Sequence, residues 1–464
     1  MRIGTMLTPK PLAALALSSL LLSACSPAPE VQGNKKWQDS APLQYQSWLT
    51  TEETVEREDM LEQRPQMVVL WAGSAYAKEF HSPRGHRFAI SDVSNTLRTG
   101  VAPASADEKG MSASCWTCKG PDVPRMMNEM GELAFAGSNF TDLGPEMANT
   151  IGCADCHQEG TNALTLTRPH AQKAMAKVSL PFDEQNSNMQ GAQTCGQCHV
   201  TYYFQPESSN RVNIPWIFGS SADEIERYYD TRRYYEWLHP ISRTPMLKAR
   251  HPEFEHWSRS QHAKQGVTCV TCHMPQKQTE DGQTYSEHNV GGALDNFDLS
   301  CVACHDSKAE LTQALADNKA AIDALRTEIE LMLVKAHYEA KAAWDAGAEW
   351  YFMDEPLMAI RHAQWRWDFA MASHGIHAHN PEEAMALLTE AKAQAELART
   401  QLAEILTQLA VTEVAYPDLS SKAAAQAAVK LDMEALKSEK AKFINEQVSK
   451  HWPEAAMRAL KYEH

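Results

Sequence analysis

Ten of the eleven cysteines in this chain stand in five Cys-x-x-Cys pairs, and no other feature constrains the fold so strongly. The pairs are Cys115/Cys118, Cys153/Cys156, Cys195/Cys198, Cys269/Cys272 and Cys301/Cys304, with Cys25 alone near the amino terminus. In an exported chain an odd cysteine total would ordinarily signal disulfides with one thiol left over. Here four pairs are followed at once by a histidine (His157, His199, His273 and His305), which is the attachment pattern of c-type haem. The two thiols add across the haem vinyl groups and the following imidazole ligates iron. Zinc ribbons need a second pair close by and leave no role for a free histidine, so neither they nor disulfides account for the pattern.

The fifth pair, Cys115-Trp116-Thr117-Cys118, ends in Lys119. Alone it would read as a redox or structural pair beside a surface lysine, but its company makes it a fifth haem site. A lysine ligand must be neutral, and bringing an amine of pKa about 10.4 to neutrality at pH 7 costs roughly 4 to 5 kcal/mol, recovered from the iron–nitrogen bond. A relay haem is closed by two strong ligands, whereas an unusual ligand below points to an iron kept open above. Catalysis is expected at Lys119.

A chain of 464 residues could hold two or three conventional cores, but motifs spread this widely predict one continuous haem-filled body. Aromatics at 8% and only 21 glycines argue against an all-β design with many tight turns. The expected fold is mainly α: a multihaem cytochrome c body with long C-terminal helices and little β-structure. Between motifs the chain is rich in Gly, Pro and Asn with only short periodic runs, because haems supply apolar core; a helix is expected around 52–64. After His305 the pattern changes. Ser307 with Glu310 forms a capping-box pattern, and Leu311, Leu315, Ile322, Leu325, Ile329 and Leu333 keep helical spacing. Further helices are expected over 356–373, 381–411 and 420–449.

Residues 1–24 read as an export signal. Arg2 and Lys10 precede an apolar run from Leu12 to Leu22 that is too short to span a bilayer. Leu22-Ser23-Ala24-Cys25 looks like a lipoprotein signal with Cys25 as the lipid anchor; the alternative is a plain signal peptide with an incidental cysteine. The organisation is then 1–24 signal, 25–36 tether, 37–306 pentahaem catalytic region, and 307–464 long-helix region, with a periplasmic location. Losing the two cations of the signal takes the net charge from −16 to −18. So acidic a surface excludes nucleic acid, suits a cationic redox partner, and requires any anionic substrate to be steered locally.

Four histidine-ligated irons need four more strong ligands, and fifteen histidines remain as candidates. Composition cannot choose among them. Cys-Trp-Thr-Cys-Lys among four Cys-x-x-Cys-His motifs resembles the pentahaem, ammonia-forming cytochrome c nitrite reductases over about 86–379. That resemblance implies five covalently bound haem c groups, with His86 paired to His199, His262 to His305 and His288 to His157. His273 would take its partner from His374, His377 or His379. His379 is favoured because Asn380-Pro381 with Glu383 reads as a helix start that would fix a ligand just before it, and His377 is the runner-up. His81, His170, His239, His337 and His464 read as surface or packing residues.

The resemblance also assigns Arg98 to hold nitrite, and Tyr202 and His251 to orient intermediates and supply protons. Many members hold calcium through an acidic side chain and a glutamine; Thr201 and Arg250 stand at those positions here. Calcium needs several oxygen ligands that this change removes, so no calcium is predicted and Arg250 would stand in for the ion. The implied activity is six-electron reduction of nitrite to ammonium, fed by a quinol-oxidising partner or a small cytochrome. The alternatives are an electron carrier without its own substrate, and hydroxylamine or sulfite reduction at the same iron. A homodimer through the C-terminal helices is implied by resemblance, while periodicity alone is equally consistent with a monomeric bundle.

Overall fold

The computed structural model describes residues 33–53, 56–101 and 110–452. The export signal, Cys25 and His464 lie outside the described residues. The fold is mainly α, as expected. Among the described residues the strands form three two-stranded antiparallel ribbons: Tyr203–Gln205 with Arg211–Asn213, Trp237–Leu238 with Pro245–Met246, and Gln276–Gln278 with Thr284–Ser286. None of the described helices is long and apolar enough to cross a membrane.

Before residue 307 the helices reach at most ten residues, as in Pro169–Val178, Ser187–Gly196 and Ala222–Thr231. The region around 52–64 is not one helix. A 3₁₀ turn covers Thr50–Glu53, and a four-residue helix covers Met60–Gln63, capped by Asp59 accepting from Leu61 and Glu62 N–H. The Cys-x-x-Cys pairs are wound into tight turns. In three motifs the histidine N–H donates to the carbonyl of the first cysteine, at 2.8 Å for His157, 3.0 Å for His199 and 2.9 Å for His305. Lys119 N–H instead reaches Trp116 O at 2.9 Å, a tighter i→i−3 turn.

The ten motif cysteines are not equivalent: nine are partly buried, but Cys304 is exposed. The reason is position. The Cys301–Cys304 turn lies between the four-residue helix Phe297–Ser300 and the exposed first turns of the helix that starts at Lys308. Leu299 and Val302, on the same segment, are 53% and 54% exposed, so this motif sits at the rim of the molecule.

Three long helices follow. Lys308–Asp345 opens on Ser307, whose hydroxyl accepts Glu310 N–H at 3.3 Å. The second runs from Trp350 to Met371, starting six residues before the expected Pro356. Pro356 therefore lies inside the helix, where it removes one backbone hydrogen bond, and at the start Trp350 packs on Trp344 at 4.7 Å between rings. The third, Pro381–Gln408, is capped by Asn380 as expected and stops short of Val411. Ala410 adopts a left-handed φ of 59°, and Val411 N–H closes back on Leu406 O, a C-terminal motif that ends the helix. Buried Ala391, Ala395 and Ala398 let these helices approach closely around Leu333, Ile360, Leu388 and Leu402.

The expected fourth helix is broken in two. Lys422–Ala428 ends where Lys430 turns left-handed at φ 61°, and Met433–Phe443 restarts on the Asp432 cap. The second half leaves the bundle. Phe443 and Trp452 join Trp116, Val123, Phe135 and Phe140 in a separate core around the Lys119 motif. Phe443, Val448 and Trp452 thus pack with the amino-terminal motif.

Candidate active site

Four histidine pairs face each other across similar gaps. The ring centres of His86 and His199 are 6.2 Å apart, His157 and His288 6.0 Å, His262 and His305 6.3 Å, and His273 and His379 6.3 Å. Metal–imidazole bonds of about 2 Å, plus a ring radius of about 1.1 Å on each side, separate ring centres by roughly 6 Å. The gaps therefore fit one metal each, and the donor set fits haem iron.

Backbone carbonyls orient several of these rings. The Nδ1 of His157 donates to Asn162 O at 2.8 Å, that of His273 to Gly291 O at 2.9 Å, and that of His288 to Ser286 O at 2.8 Å. A carbonyl only accepts, so Nδ1 carries the proton and the Nε2 lone pair is left for a metal. Opposite His273 stands His379, whose buried Nδ1 has no hydrogen-bond partner. Gly375 makes room for it: a Cβ there would lie 2.7 Å from His379 Cε1. His377 is half-buried, and His374 stacks beside Phe80 at 6.2 Å.

The motifs abut through their own side chains. Cys118 lies beside Cys198, and Cys195 beside Cys269. Arg168, completely buried, donates to Thr117 O at 2.6 Å and Gly120 O at 2.9 Å, the carbonyls on either side of Cys118-Lys119. It also pairs with Asp155 at 2.5 Å, while Gln197 Nε2 donates to Asp155 O at 2.8 Å. The buried arginine thus ties two haem motifs together directly, and Gln197 joins the third to them through Asp155. No motif announced it, since Thr167-Arg168-Pro169 carries no spacing signal.

Around Lys119 the neighbours are cationic and aromatic. Lys119 is half-buried and lies within electrostatic reach of His86, His199 and His251. Arg98 places its guanidinium 4.9 Å over the Tyr76 ring, and no carboxylate among the described residues pairs with it. Tyr202 stands near Cys115 and Cys118, and burial holds its hydroxyl protonated well above the usual tyrosine range. His251 sits in the left-handed region at φ 50°, a strained conformation for a non-glycine residue. Burial, aided by His199 and Lys119, pulls its pKa well below the imidazole range.

Three further residues of this cleft escaped the sequence reading. Tyr76 is surrounded by Arg250, Arg98 and Lys248, which together lower its pKa although burial opposes them. Lys248 donates to Asp368 Oδ1 at 2.6 Å and lies 4.6 Å over Trp71. Glu236 binds Arg250 Nη1 at 2.8 Å. The same Nη1 also donates to Tyr202 O and Lys248 O, each at 3.2 Å, while Arg250 N–H donates to Thr201 Oγ1 at 3.2 Å. The guanidinium occupies the centre of a ring of oxygens.

A helical body whose Cys-x-x-Cys turns are set beside facing imidazoles defines a multihaem c-type cytochrome with covalently bound haem. Residues 33–460 match the family model described as cytochrome c552, and the chain belongs to that family. It is similar to the solved catalytic subunit of cytochrome c nitrite reductase from Desulfovibrio desulfuricans, described with two calcium sites. The two share 24% identity over 87% of this chain and 89% of that one, with a TM-score of 0.74.

Proposed function

We propose that this protein reduces nitrite to ammonium at the Lys119 site, drawing electrons from the four histidine-paired sites. What carries the reading is an asymmetry. Four motifs have a second imidazole about one metal width away, whereas the Lys119 motif has Arg98, Tyr202 and His251 as its polar neighbours. Haem iron bound there would supply an open coordination position and the electrons. The proposed complement is five haem c groups, held by the five cysteine pairs. Lys119 would ligate the first, and the pairs His157/His288, His199/His86, His273/His379 and His305/His262 the rest.

Nitrite becomes ammonium by gaining six electrons and eight protons and releasing two waters, so proton supply matters as much as charge. Arg98, without a carboxylate to neutralise it, would hold the anion through charge-assisted hydrogen bonds. Tyr202 keeps its phenolic proton and can donate a hydrogen bond. A neutral His251 can take up a proton and pass it on. The nearness of cysteines in successive motifs supports a relay running from the His305 side through the His273 and His199 sites to Lys119. The exposed Cys304 supports entry of electrons at that end, where a donor can approach the rim.

We read Arg250 as standing where related enzymes hold calcium, and propose that the site needs none. A cation bound by carbonyls and a carboxylate is replaced by a guanidinium bound by carbonyls of Tyr202 and Lys248 and by Glu236. We also propose export to the periplasm, anchoring through Cys25, and reduction by a quinol-oxidising or small cytochrome partner. A homodimer through the long helices is supported by exposed Trp350, Tyr351 and Phe352, with Tyr351 84% exposed.

The decisive assay supplies reduced dye and nitrite and measures ammonium, alongside spectra of the oxidised iron. A high-spin signal that shifts on adding nitrite is expected. Five low-spin, six-coordinate irons would instead leave an electron carrier, and turnover with hydroxylamine or sulfite but not nitrite would redirect the substrate assignment.

A further inference from the structure

The segment that carries Arg98 is gripped from both sides by charged side chains that no haem motif uses. On one side is Glu79. Its Oε2 accepts Leu97 N–H at 2.5 Å and the Thr96 hydroxyl at 3.3 Å, and its Oε1 accepts His81 Nε2 at 2.6 Å. The Thr96 oxygen in turn accepts Arg98 Nε and Arg98 N–H, both at 3.4 Å. One hydroxyl thus connects the Glu79 carboxylate to the substrate-facing guanidinium.

On the other side is Lys440, in the Met433–Phe443 helix that leaves the bundle. It is only 6% exposed, and its Nζ donates to Thr99 O at 2.8 Å with the Phe443 ring 4.9 Å away. Phe443 packs so tightly on Gly100 that a Cβ there would lie 2.4 Å from Cε1, and Gly100 adopts φ 69°, where glycine is favoured. An ammonium buried this deeply is a costly way to fill space, since methionine occupies a similar volume without desolvating a charge. Its single strong acceptor is the carbonyl one residue beyond Arg98, and the opposing charge within its electrostatic reach is Glu79.

We propose that Glu79 and Lys440 are positioning residues for Arg98: they clamp the Thr96–Gly100 turn so that the guanidinium is already aimed when an anionic substrate arrives. The inference rests on the reading of Arg98 as the nitrite-holding group. Arginine has many rotatable bonds, so an unrestrained turn would spend binding free energy on ordering it and would misplace its fork. The loss should depend on substrate charge. Nitrite is an anion at neutral pH and hydroxylamine is neutral, so hydroxylamine lacks the charge that Arg98 recognises.

The test compares holoenzyme variants Lys440→Met, Glu79→Gln and Thr96→Val with Arg98→Ala. Steady-state kinetics on nitrite and on hydroxylamine are joined by nitrite dissociation constants from absorbance titration of the oxidised protein. Each of the three variants should weaken nitrite binding and raise its KM by roughly tenfold and leave the hydroxylamine KM within about twofold, and Lys440→Arg should lose less than Lys440→Met. If Arg98→Ala itself leaves nitrite binding unchanged, the reading of Arg98 fails and the inference with it. If Arg98→Ala weakens nitrite and the other variants do not, the positioning inference alone is overturned. Equal losses with both substrates would mark Glu79 and Lys440 as general structural supports, which also overturns it. Should Lys440→Met not fold, Lys440→Gln decides for Lys440, and the isosteric Thr96→Val decides for Glu79, because it cuts the Thr96 link without removing a charge.

Discussion

Replacing Arg250 by glutamine should destabilise the protein strongly, and removing Glu236 as well should restore most of the loss. Arg250 is 7% exposed and its partner Glu236 14%, so removal of the guanidinium strands a nearly buried carboxylate. Breaking such a pair from one side costs about 3–5 kcal/mol. Loss of the hydrogen bonds to Tyr202 O and Lys248 O adds about 1 kcal/mol each, part of which the shorter amide can recover. The expected destabilisation of Arg250→Gln is therefore about 4 kcal/mol, roughly a thousandfold in the folding equilibrium. In Arg250→Gln with Glu236→Gln neither member of the pair is left charged, and the loss should fall to about 1–2 kcal/mol. Calcium should stabilise the single variant, because Glu236, the two carbonyls and the introduced amide oxygen form an oxygen-rich site, and should leave the native protein unchanged. Guanidinium denaturation of the holoprotein, followed by tryptophan fluorescence and haem absorbance with and without calcium, measures all three. A single variant within about 1 kcal/mol of the native protein, or one indifferent to calcium, would refute the view that the guanidinium stands in for an ion.

Lys119→His should retain covalent haem but shift the iron towards low spin and slow nitrite turnover at least about tenfold, checked by electron paramagnetic resonance and ammonium release. His379→Ala should convert one low-spin iron to high spin while His377→Ala leaves the spectrum unchanged; the reverse would assign the His273 partner to His377. Burial holds the Glu255 carboxyl at about 8, above its usual 4.5, while Oε1 accepts Thr201 N–H and Trp216 Nε1–H. The folded state then keeps a proton that the unfolded chain loses, so this group makes stability fall as pH rises from about 4.5 to about 8, and no further above that. Glu255→Gln should remove this slope, gaining up to about 3 kcal/mol at pH 7 and little at pH 4 in denaturation curves; equal effects at both pH values would contradict it.

The local chemistry of the chain was legible without its structure, because haem attachment needs two thiols and a ligand within five residues and cannot be disguised. The same holds for the helix starts at Ser307 and Asn380, where a capping side chain bonds a backbone N–H three residues on. Second ligands were different. Fifteen histidines have no local mark of pairing, and only folding sets His86 opposite His199 or leaves His379 facing His273. Depth was equally hidden: five near-identical motifs give no sign that Cys304 alone among their thiols is exposed. Arg168, Tyr76, Lys248, Glu79 and Lys440 were invisible for the same reason: each acts on residues far along the chain, as when Lys440 reaches Thr99 across 341 positions. The break at Lys430 was missed because a left-handed residue other than glycine leaves no sign in composition. Covalent attachment is decided within a short segment by the order of residues, whereas the second axial ligand, the buried cation and the aimed arginine depend on which distant segments meet, and that is settled by packing.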